Sequence, residues 1–261
     1  MSHLKLIKYP GSKNSLIPTI KKSFVDSGAD TFVDVFGGSG VVSLNMDAKQ
    51  VVYNDINKDL YNLFKMIKFH PELILEVLKK WTATKDKFVE YNEIFNSRGN
   101  RNMTDLERAF RTFYGFSIGF GGMGSTYRTQ NEKSTYSQTL KVISNYQTIS
   151  SKVSSWIIEN MDFRQIFTKF DDVNAFFYCD PPYSGKNWYE HPFGSYDFKE
   201  LKLNIQNLKG KYLLSFNESD PLVIEIFGTP NFSVEFENKN RKNIPSGPAP
   251  LRRFLIYTNV I

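Results

Sequence analysis

The sequence predicts an α/β fold, in which a Rossmann-like parallel sheet carries a mostly helical insertion. Two observations support this prediction: apolar runs of strand length recur along the chain, and segments of helical periodicity separate them. Runs that are apolar at every position are typical of parallel strands buried on both faces. The predicted strands of this kind comprise residues 31–36, 51–53, 175–179 and 212–216.

Each of these runs ends at a polar or glycine-rich segment. The first leads into the glycine-rich residues 37–40, the second into Asn54 and Asp55, the third into Asp180 and the fourth into Asn217. Because open α/β sheets bind ligands at the carboxyl ends of their strands, we predict that these residues line a binding site.

Residues 58–155 are predicted to form the helical insertion, and residues 1–57 and 156–261 to form the sheet domain. Thr104 and Glu107 have the spacing of a helix capping box. Residues 119–138, rich in Gly, Ser and Thr, are predicted to form an exposed loop. The apolar positions at helical intervals are Leu106, Ala109, Phe110 and Phe113 before that loop, and Leu140, Ile143, Tyr146, Ile149, Val153 and Trp156 after it.

Two further strands, residues 232–236 and 254–258, are predicted near the end of the sequence, with a polar connection between them. A solvated loop and a contact with phosphate are both compatible with this composition. The connection carries the basic residues Lys239, Arg241, Lys242, Arg252 and Arg253.

Composition narrows the possible functions of this 261-residue chain. No apolar run approaches the roughly 20 residues needed to span a bilayer, and no signal-peptide core follows Met1, so we expect no membrane attachment. A single cysteine excludes an intramolecular disulfide and suits the cytoplasm, and three scattered histidines predict no metal site. The net charge of +6 favours an anionic partner such as nucleic acid.

The glycine-rich turn indicates an adenosine-containing cofactor. Glycines after a strand let the backbone turn tightly and approach a ligand, although Ser43 stands where a dinucleotide fingerprint needs its third glycine. We predict a helix after this turn. Asp55 ends the next strand, where its carboxylate can accept hydrogen bonds from ribose hydroxyls. Residues 8–13 contain a Pro-Gly pair, and a surface turn is their commoner interpretation.

Residues 180–183, Asp-Pro-Pro-Tyr, indicate the chemistry. Prolines have no N–H group, so the Asp180 carboxylate and the Pro181 carbonyl offer only acceptors, and the Tyr183 ring offers a stacking face. This combination suits a planar substrate with an NH2 group. If these acceptors took hydrogen bonds from both N–H groups of the substrate, the nitrogen would move toward tetrahedral geometry. Its lone pair would then be free to attack an electrophilic methyl group directly. A proline-rich turn in which Asp180 only caps the strand is the structural alternative.

The segments 8–13, 36–40, 54–57 and 180–183, separated by a helical insertion, resemble in order the motifs of the Dam-type DNA adenine N6-methyltransferases, the alpha group or D12 class. The resemblance covers nearly the whole chain in outline. It implies a fold typical of S-adenosylmethionine-dependent methyltransferases, with residues 58–155 as the target-recognition insertion and the remainder as the catalytic domain. It also implies that the product is N6-methyladenine and that no covalent enzyme intermediate forms.

The resemblance further implies roles for individual residues. Asp180, Pro181 and Tyr183 would hold an adenine flipped out of the duplex. The residues implied for S-adenosylmethionine are Tyr9, Lys13, Asp34, Gly38, Gly40, Asp55, Asp162, Phe163 and Asp180.

Double-stranded DNA is the partner that the resemblance implies, with a cognate restriction endonuclease as a further candidate. We place base recognition at Tyr127 and Arg128, in the insertion, and phosphate contacts at Arg241, Lys242, Arg252 and Arg253. Residues 121–128 lack the N-P-F-G-like segment of the family members that methylate GATC, so we do not predict GATC specificity.

Three alternatives remain at this point. The substrate could be RNA, or the chain could be a nucleic-acid-binding module without catalysis. Cytosine N4 also carries a conjugated amine, although Asp before Pro-Pro-Tyr favours adenine. Cytosine C5 methylation needs a thiolate, and strand alternation turns Cys179 away from the side of Asp180.

Overall fold

A computed structural model gives the fold. It describes residues 3–80, 85–86, 89–90, 93, 103–118, 132–183, 193–218, 220–237 and 251–260. The chain packs as two compact units, the first made of Met1–Asn14 and Gly37–Met161 and the second of Ser15–Phe36 and Asp162–Ile261. The division predicted from the sequence, between a catalytic domain and residues 58–155, concerns function and stays a prediction.

Seven strands and eight α-helices form the described part of the chain. The strands are β1 Thr31–Asp34, β2 Gln50–Asn54, β3 Ile157–Glu159, β4 Ala175–Cys179, β5 Lys211–Asn217, β6 Phe232–Glu237 and β7 Leu251–Thr258. The helices are α1 Ile17–Asp26, α2 Lys58–Phe69, α3 Pro71–Lys80, α4 Asp105–Ile118, α5 Glu132–Ser154, α6 Phe163–Phe170, α7 Ser195–Gln206 and α8 Pro221–Phe227.

The second unit contains a sheet in the order β1-β4-β5-β7-β6. Strands β1, β4 and β5 are parallel, whereas β7 runs antiparallel to both β5 and β6. Strand β4 lies between β1 and β5, and all five of its residues are buried, so neither face of the strand is open to solvent. This explains why its sequence is apolar without alternation. The α/β class predicted from the sequence is confirmed.

The first unit packs its helices around the parallel pair of β2 and β3. An aromatic cluster of Tyr53, Phe64 and Trp156 lies at its centre, with ring centroids 4.4 to 5.8 Å apart. The predicted capping box is present at the start of α4. The backbone N–H of Thr104 donates to the Glu107 carboxylate, and the Glu107 N–H donates to the Thr104 hydroxyl.

The predictions for the helical insertion were wrong in two places. Helix α5 begins at Glu132, so residues 132–138 are helical, and only 119–131 of the predicted loop lie outside the described residues. Leu140 is exposed, because the buried stripe of α5 runs through Thr139 and Val142 instead. A short segment rich in Ser and Thr is typical of a loop. A long helix can nevertheless carry these residues on its exposed side when the apolar residues on its opposite side pack against the rest of the protein.

Two further predictions of secondary structure can be compared with the structure. The helix predicted after the glycine-rich turn is a short 3-10 helix, Ser43–Asn45. The Asn45 side chain forms hydrogen bonds with the backbone of Leu4 and Val41, and these bonds hold the short helix in place. Arg252 and Arg253 lie within β7 and not in the connection before it, because β7 begins at Leu251.

Among the described helices, none is both long and apolar enough to cross a membrane.

Candidate active site

The glycine-rich turn of the first unit can be built only with glycine at several positions. Gly38 and Gly40 have φ angles of +51° and +67°, a region that side chains disfavour. A Cβ atom on Gly40 would lie 2.4 Å from the Phe64 ring, and one on Gly37 would lie 2.2 Å from the Tyr53 ring. The turn is therefore packed tightly on its protein side and carries no side chain of its own at Gly38 and Gly40.

Asp55 links this turn to the end of β2. Its carboxylate is 9% exposed; Oδ2 accepts a hydrogen bond of 2.8 Å from the Gly38 N–H, and Oδ1 accepts one of 2.8 Å from the Asn57 N–H. The Tyr53 hydroxyl donates to the Gly38 carbonyl at 2.7 Å. Carboxylate oxygens have about four acceptor sites between them, so Asp55 can accept from a ligand hydroxyl as well as from the backbone.

Neighbouring backbone holds Asp55 in place. The Asp55 N–H donates to the Glu159 carbonyl, and the Asn160 side chain donates to the Asp55 carbonyl at 2.8 Å. Asn57 then caps α2, because its side chain accepts from the N–H groups of Asp59 and Leu60. The end of β2 is therefore fixed from both sides before any ligand binds.

Tyr9 and Lys13 belong to the same unit as the glycine-rich turn. The Tyr9 ring lies against Gly38, where a Cβ atom would come within 3.2 Å of it. Lys13 is only 3% exposed, and its Nζ donates to the Gly11 carbonyl at 2.9 Å. The interpretation of residues 8–13 as a plain surface turn is therefore wrong for Lys13.

Asp34 and Asp180 lie at the carboxyl ends of neighbouring strands of the second unit. Asp34 is the last residue of β1 and is buried, whereas Asp180 comes directly after β4 and is half-buried. The Val35 N–H donates to the Tyr178 carbonyl at 3.0 Å, so β1 and β4 stay paired up to this end. Burial, with Asp34 and Asp180 nearby, raises the pKa of the Cys179 thiol well above its ordinary value. A thiolate nucleophile is therefore disfavoured at Cys179.

Tyr183 is a neutral phenol at any physiological pH. Burial raises its pKa most, and the Asp180 and Asp220 carboxylates raise it further, whereas Arg252 acts in the opposite direction. Asp220 caps α8 by accepting from the Leu222 N–H. The described part of the site thus offers a buried Pro181 beside a half-buried carboxylate and a half-buried aromatic ring.

Asp162 and Phe163 have structural partners in the second unit. Asp162 caps α6 by accepting from the Arg164 N–H, and the Arg164 guanidinium also bonds the Asp162 carboxylate at 3.1 Å. Phe163 is 5% exposed and packs against Phe36 and Phe193, with ring centroids 5.8 and 5.5 Å away.

Arg164 is a residue that sequence reasoning missed. Its guanidinium lies 4.3 Å from the centroid of the Phe163 ring and bonds Asp197 at 2.9 Å, with Glu200 at 3.6 Å. Asp197 and Glu200 lie on α7, so one side chain joins the start of α6 to α7. No spacing rule finds such a contact, since its partners are more than 30 residues away in sequence.

Four of the six predicted DNA-binding residues, Tyr127, Arg128, Arg241 and Lys242, lie outside the described residues. Arg252 and Arg253 are exposed on β7, opposite Phe236 and Glu235 of β6. Arg253 bonds Glu235 at 2.7 Å and lies 3.6 Å from Glu218, so two carboxylates balance its charge.

In the part of the chain that the structure describes, no group of three His, Cys, Asp or Glu side chains has a geometry that could hold a metal ion.

Comparison with known proteins identifies the family. Residues 9–237 match the model of the D12 class N6 adenine-specific DNA methyltransferases. The chain is 26% identical to the type II methyltransferase M1.LlaDCHI of Lactococcus lactis over 90% of its length and 88% of the relative's. It is 27% identical to a DNA adenine methylase of Haemophilus influenzae over 70% of this chain and 65% of the relative.

A third relative, the modification methylase StsI of Streptococcus sanguinis, is 25% identical over 68% of this chain but only 28% of its own length. The family match extends from Tyr9, through the glycine-rich turn, Asp55 and the Asp-Pro-Pro-Tyr segment, into β6. The chain therefore belongs to the D12 class of N6 adenine-specific DNA methyltransferases, the family that these motifs predict.

Proposed function

We propose that the chain transfers a methyl group from S-adenosylmethionine to N6 of an adenine flipped out of duplex DNA. Membership of the D12 class supports adenine in DNA as the target. One observation carries the residue-level proposal: Asp180, Pro181 and Tyr183 lie directly after the buried central strand β4, where acceptors and an aromatic ring are held together. S-adenosylmethionine supplies a methyl group on a positively charged sulfur, which is a strong electrophile.

The first unit fits one part of the cofactor. Gly38 and Gly40 adopt the positive φ angles that shape the turn, and a Cβ atom at either position would meet an aromatic ring of the protein. We propose that the backbone of this turn approaches the cofactor closely. We assign the ribose hydroxyls to Asp55, whose carboxylate the backbone already holds in one orientation. Lys13 and Asp34 carry the charges that complement the carboxylate and the ammonium group of the methionine part.

Asp180 and Pro181 are proposed to activate the adenine amine. Each accepts a hydrogen bond from one N–H of N6. These two bonds favour a tetrahedral nitrogen, whose lone pair is no longer delocalised into the adenine ring. S-adenosylmethionine, once bound, would supply the methyl group: N6 would bond to the methyl carbon as the S–C bond breaks, and S-adenosylhomocysteine would leave. The surplus proton on N6 would pass to solvent water. No covalent bond to the protein is needed. Tyr183 stacks on the base and keeps it in place.

Asp162 and Phe163 are proposed to border the adenine of the cofactor. Asp162 is held by Arg164 on one side, and Phe163 presents little surface because Phe36, Phe193 and Arg164 pack against it. We therefore expect Phe163 to contribute an edge and not a full stacking face.

Double-stranded DNA is the proposed partner, and the cytoplasm of a bacterial cell is the proposed location. Arg241, Lys242, Arg252 and Arg253 would contact phosphates, and Tyr127 and Arg128 would read bases. The name "modification methylase" of some relatives suggests a cognate restriction endonuclease as a second partner.

Sequencing the DNA of a host that lacks other adenine methylases, after expression of this chain, tests the proposal. We expect N6-methyladenine at one short motif. A parallel assay of methyl incorporation compares duplex DNA with structured RNA. Incorporation into RNA alone, or N4-methylcytosine in the host DNA, would contradict the proposal.

A further inference from the structure

The Tyr9 ring contacts the glycine-rich turn on one side and helix α4 on another. Its atoms come within 3.2 Å of the place a Cβ on Gly38 would occupy. Its centroid lies 5.2 Å from that of Phe116, near the end of α4, with the rings tilted by 51°. Tilted aromatic pairs at this distance are favourable beyond the area that they bury. Tyr9 thus lies between a helix of the insertion and the proposed cofactor turn.

A second set of contacts joins the same two elements. Asp55 bonds both Gly38 and Asn57, and Asn57 caps α2. Asp59, in the first turn of α2, forms an ion pair of 3.1 Å with Arg111 of α4. The contacts therefore close a ring that runs from the glycine-rich turn through Asp55, α2, α4 and Tyr9 back to the turn.

The position of Phe116 in α4 differs from that of its aromatic neighbours. Phe110 and Phe113 are buried core residues, whereas Phe116 and Tyr9 are both half-buried at the border of that core. A half-buried ring pair contributes less to the core and retains a surface that a ligand can contact. This is the placement expected of a contact that orients a binding residue.

We infer that Phe116 is a positioning residue for the cofactor site, because it holds the Tyr9 ring over Gly38 and thereby links α4 to cofactor binding. The inference rests on the proposed function. It adds a route by which the helical insertion and the cofactor site influence each other. Coupling between two ligands is reciprocal, so DNA bound by the insertion would raise cofactor affinity by the same factor that cofactor raises DNA affinity.

Calorimetry with S-adenosylhomocysteine, the reaction product, tests the positioning role without turnover. We expect Phe116→Ala to weaken binding about three- to tenfold, the range of one aromatic pair. Phe116→Tyr should restore it. Leu106→Ala is the matched control, since Leu106 is half-buried at the opposite end of α4. That variant should lower Tm but leave the dissociation constant unchanged.

A double-mutant cycle tests the contact itself. Tyr9→Ala should also weaken binding, and the combined Tyr9→Ala and Phe116→Ala variant should be no weaker than Tyr9→Ala alone. In the wild-type protein, duplex DNA carrying the methylated motif should tighten product binding. The tightening should shrink in Phe116→Ala.

The outcomes separate the inference from the proposed function. A wild-type protein that binds no S-adenosylhomocysteine would overturn both. A wild-type protein that binds it, together with a Phe116→Ala variant that binds equally well, would overturn the inference alone. Additive losses in the cycle would overturn it too, as would a wild-type protein in which DNA leaves product affinity unchanged.

Discussion

At the scale of single residues, Asp55 combines a structural role in the glycine-rich turn with a proposed role in cofactor binding. Its two carboxylate oxygens hold the Gly38 and Asn57 N–H groups, and the same carboxylate is proposed to bind the cofactor ribose. The backbone contacts preorganise the ligand contact, because the carboxylate needs no rotation when ligand arrives. Preorganisation of this kind lowers the entropy cost of binding.

Replacing Asp55 tests this dual use. We expect Asp55→Ala to weaken S-adenosylmethionine binding by about ten- to a hundredfold, since a hydrogen bond to a charged group contributes about 1.5–3 kcal/mol. Asp47→Ala is the control, because Asp47 is exposed and forms an ion pair with Lys152 at 3.1 Å. Calorimetry that gave both variants the wild-type affinity would remove Asp55 from the cofactor site.

At the scale of secondary-structure elements, Arg164 joins α6 to α7 through Asp162, Asp197 and Glu200. We expect Arg164→Ala to lower the free energy of unfolding by about 1–2 kcal/mol, the sum of several part-exposed ion pairs and two cation–π contacts, with Phe163 and Tyr196. Lys22→Ala removes one exposed ion pair, with Asp26, and should change stability by less than about 0.5 kcal/mol. Equal midpoints of urea unfolding for the two variants would show that the Arg164 contacts stabilise the fold no more than one exposed ion pair does.

Strand β7 distinguishes two neighbouring arginines. Arg253 is balanced by Glu235 and Glu218, whereas Arg252 extends from the opposite face of the strand and its charge partly offsets the burial that raises the pKa of Tyr183. We expect Arg252→Ala to flatten the dependence of log affinity for DNA on log salt by about 0.9, the contribution of one phosphate contact. Arg253→Ala should also flatten that slope, but by less, because Glu235 and Glu218 already balance part of its charge. A larger change of slope in Arg253→Ala than in Arg252→Ala would contradict this ranking.

At the scale of the whole molecule, the sequence predicts strands better than connections. Buried parallel strands need an apolar residue at every position, so β4 could be predicted to the residue. The segment after Gly40 could not, because side-chain bonds from Asn45 and not periodicity decide that it forms a 3-10 turn.

The candidate site shows the same limit. Asp55 and Asp180 could be predicted because each ends an apolar run. The burial of Lys13, the contacts of Arg164 and the pairing of Tyr9 with Phe116 could not, since each depends on residues distant in sequence that meet only in the fold. Sequence therefore indicates which polar residues lie at the ends of strands better than which side chains hold them in place.

The central claim is that Asp180 activates the adenine amine by accepting a hydrogen bond from it. Single-turnover methylation of duplex DNA, with saturating S-adenosylmethionine, measures this step directly in Asp180→Asn. We expect the rate to fall roughly a hundredfold or more, as for other groups that act only in the transition state, because an amide can present N–H where an acceptor is needed. DNA binding should persist, since phosphates supply most of that affinity. Tyr183→Phe should stay active. An Asp180→Asn variant with the wild-type rate would contradict the account.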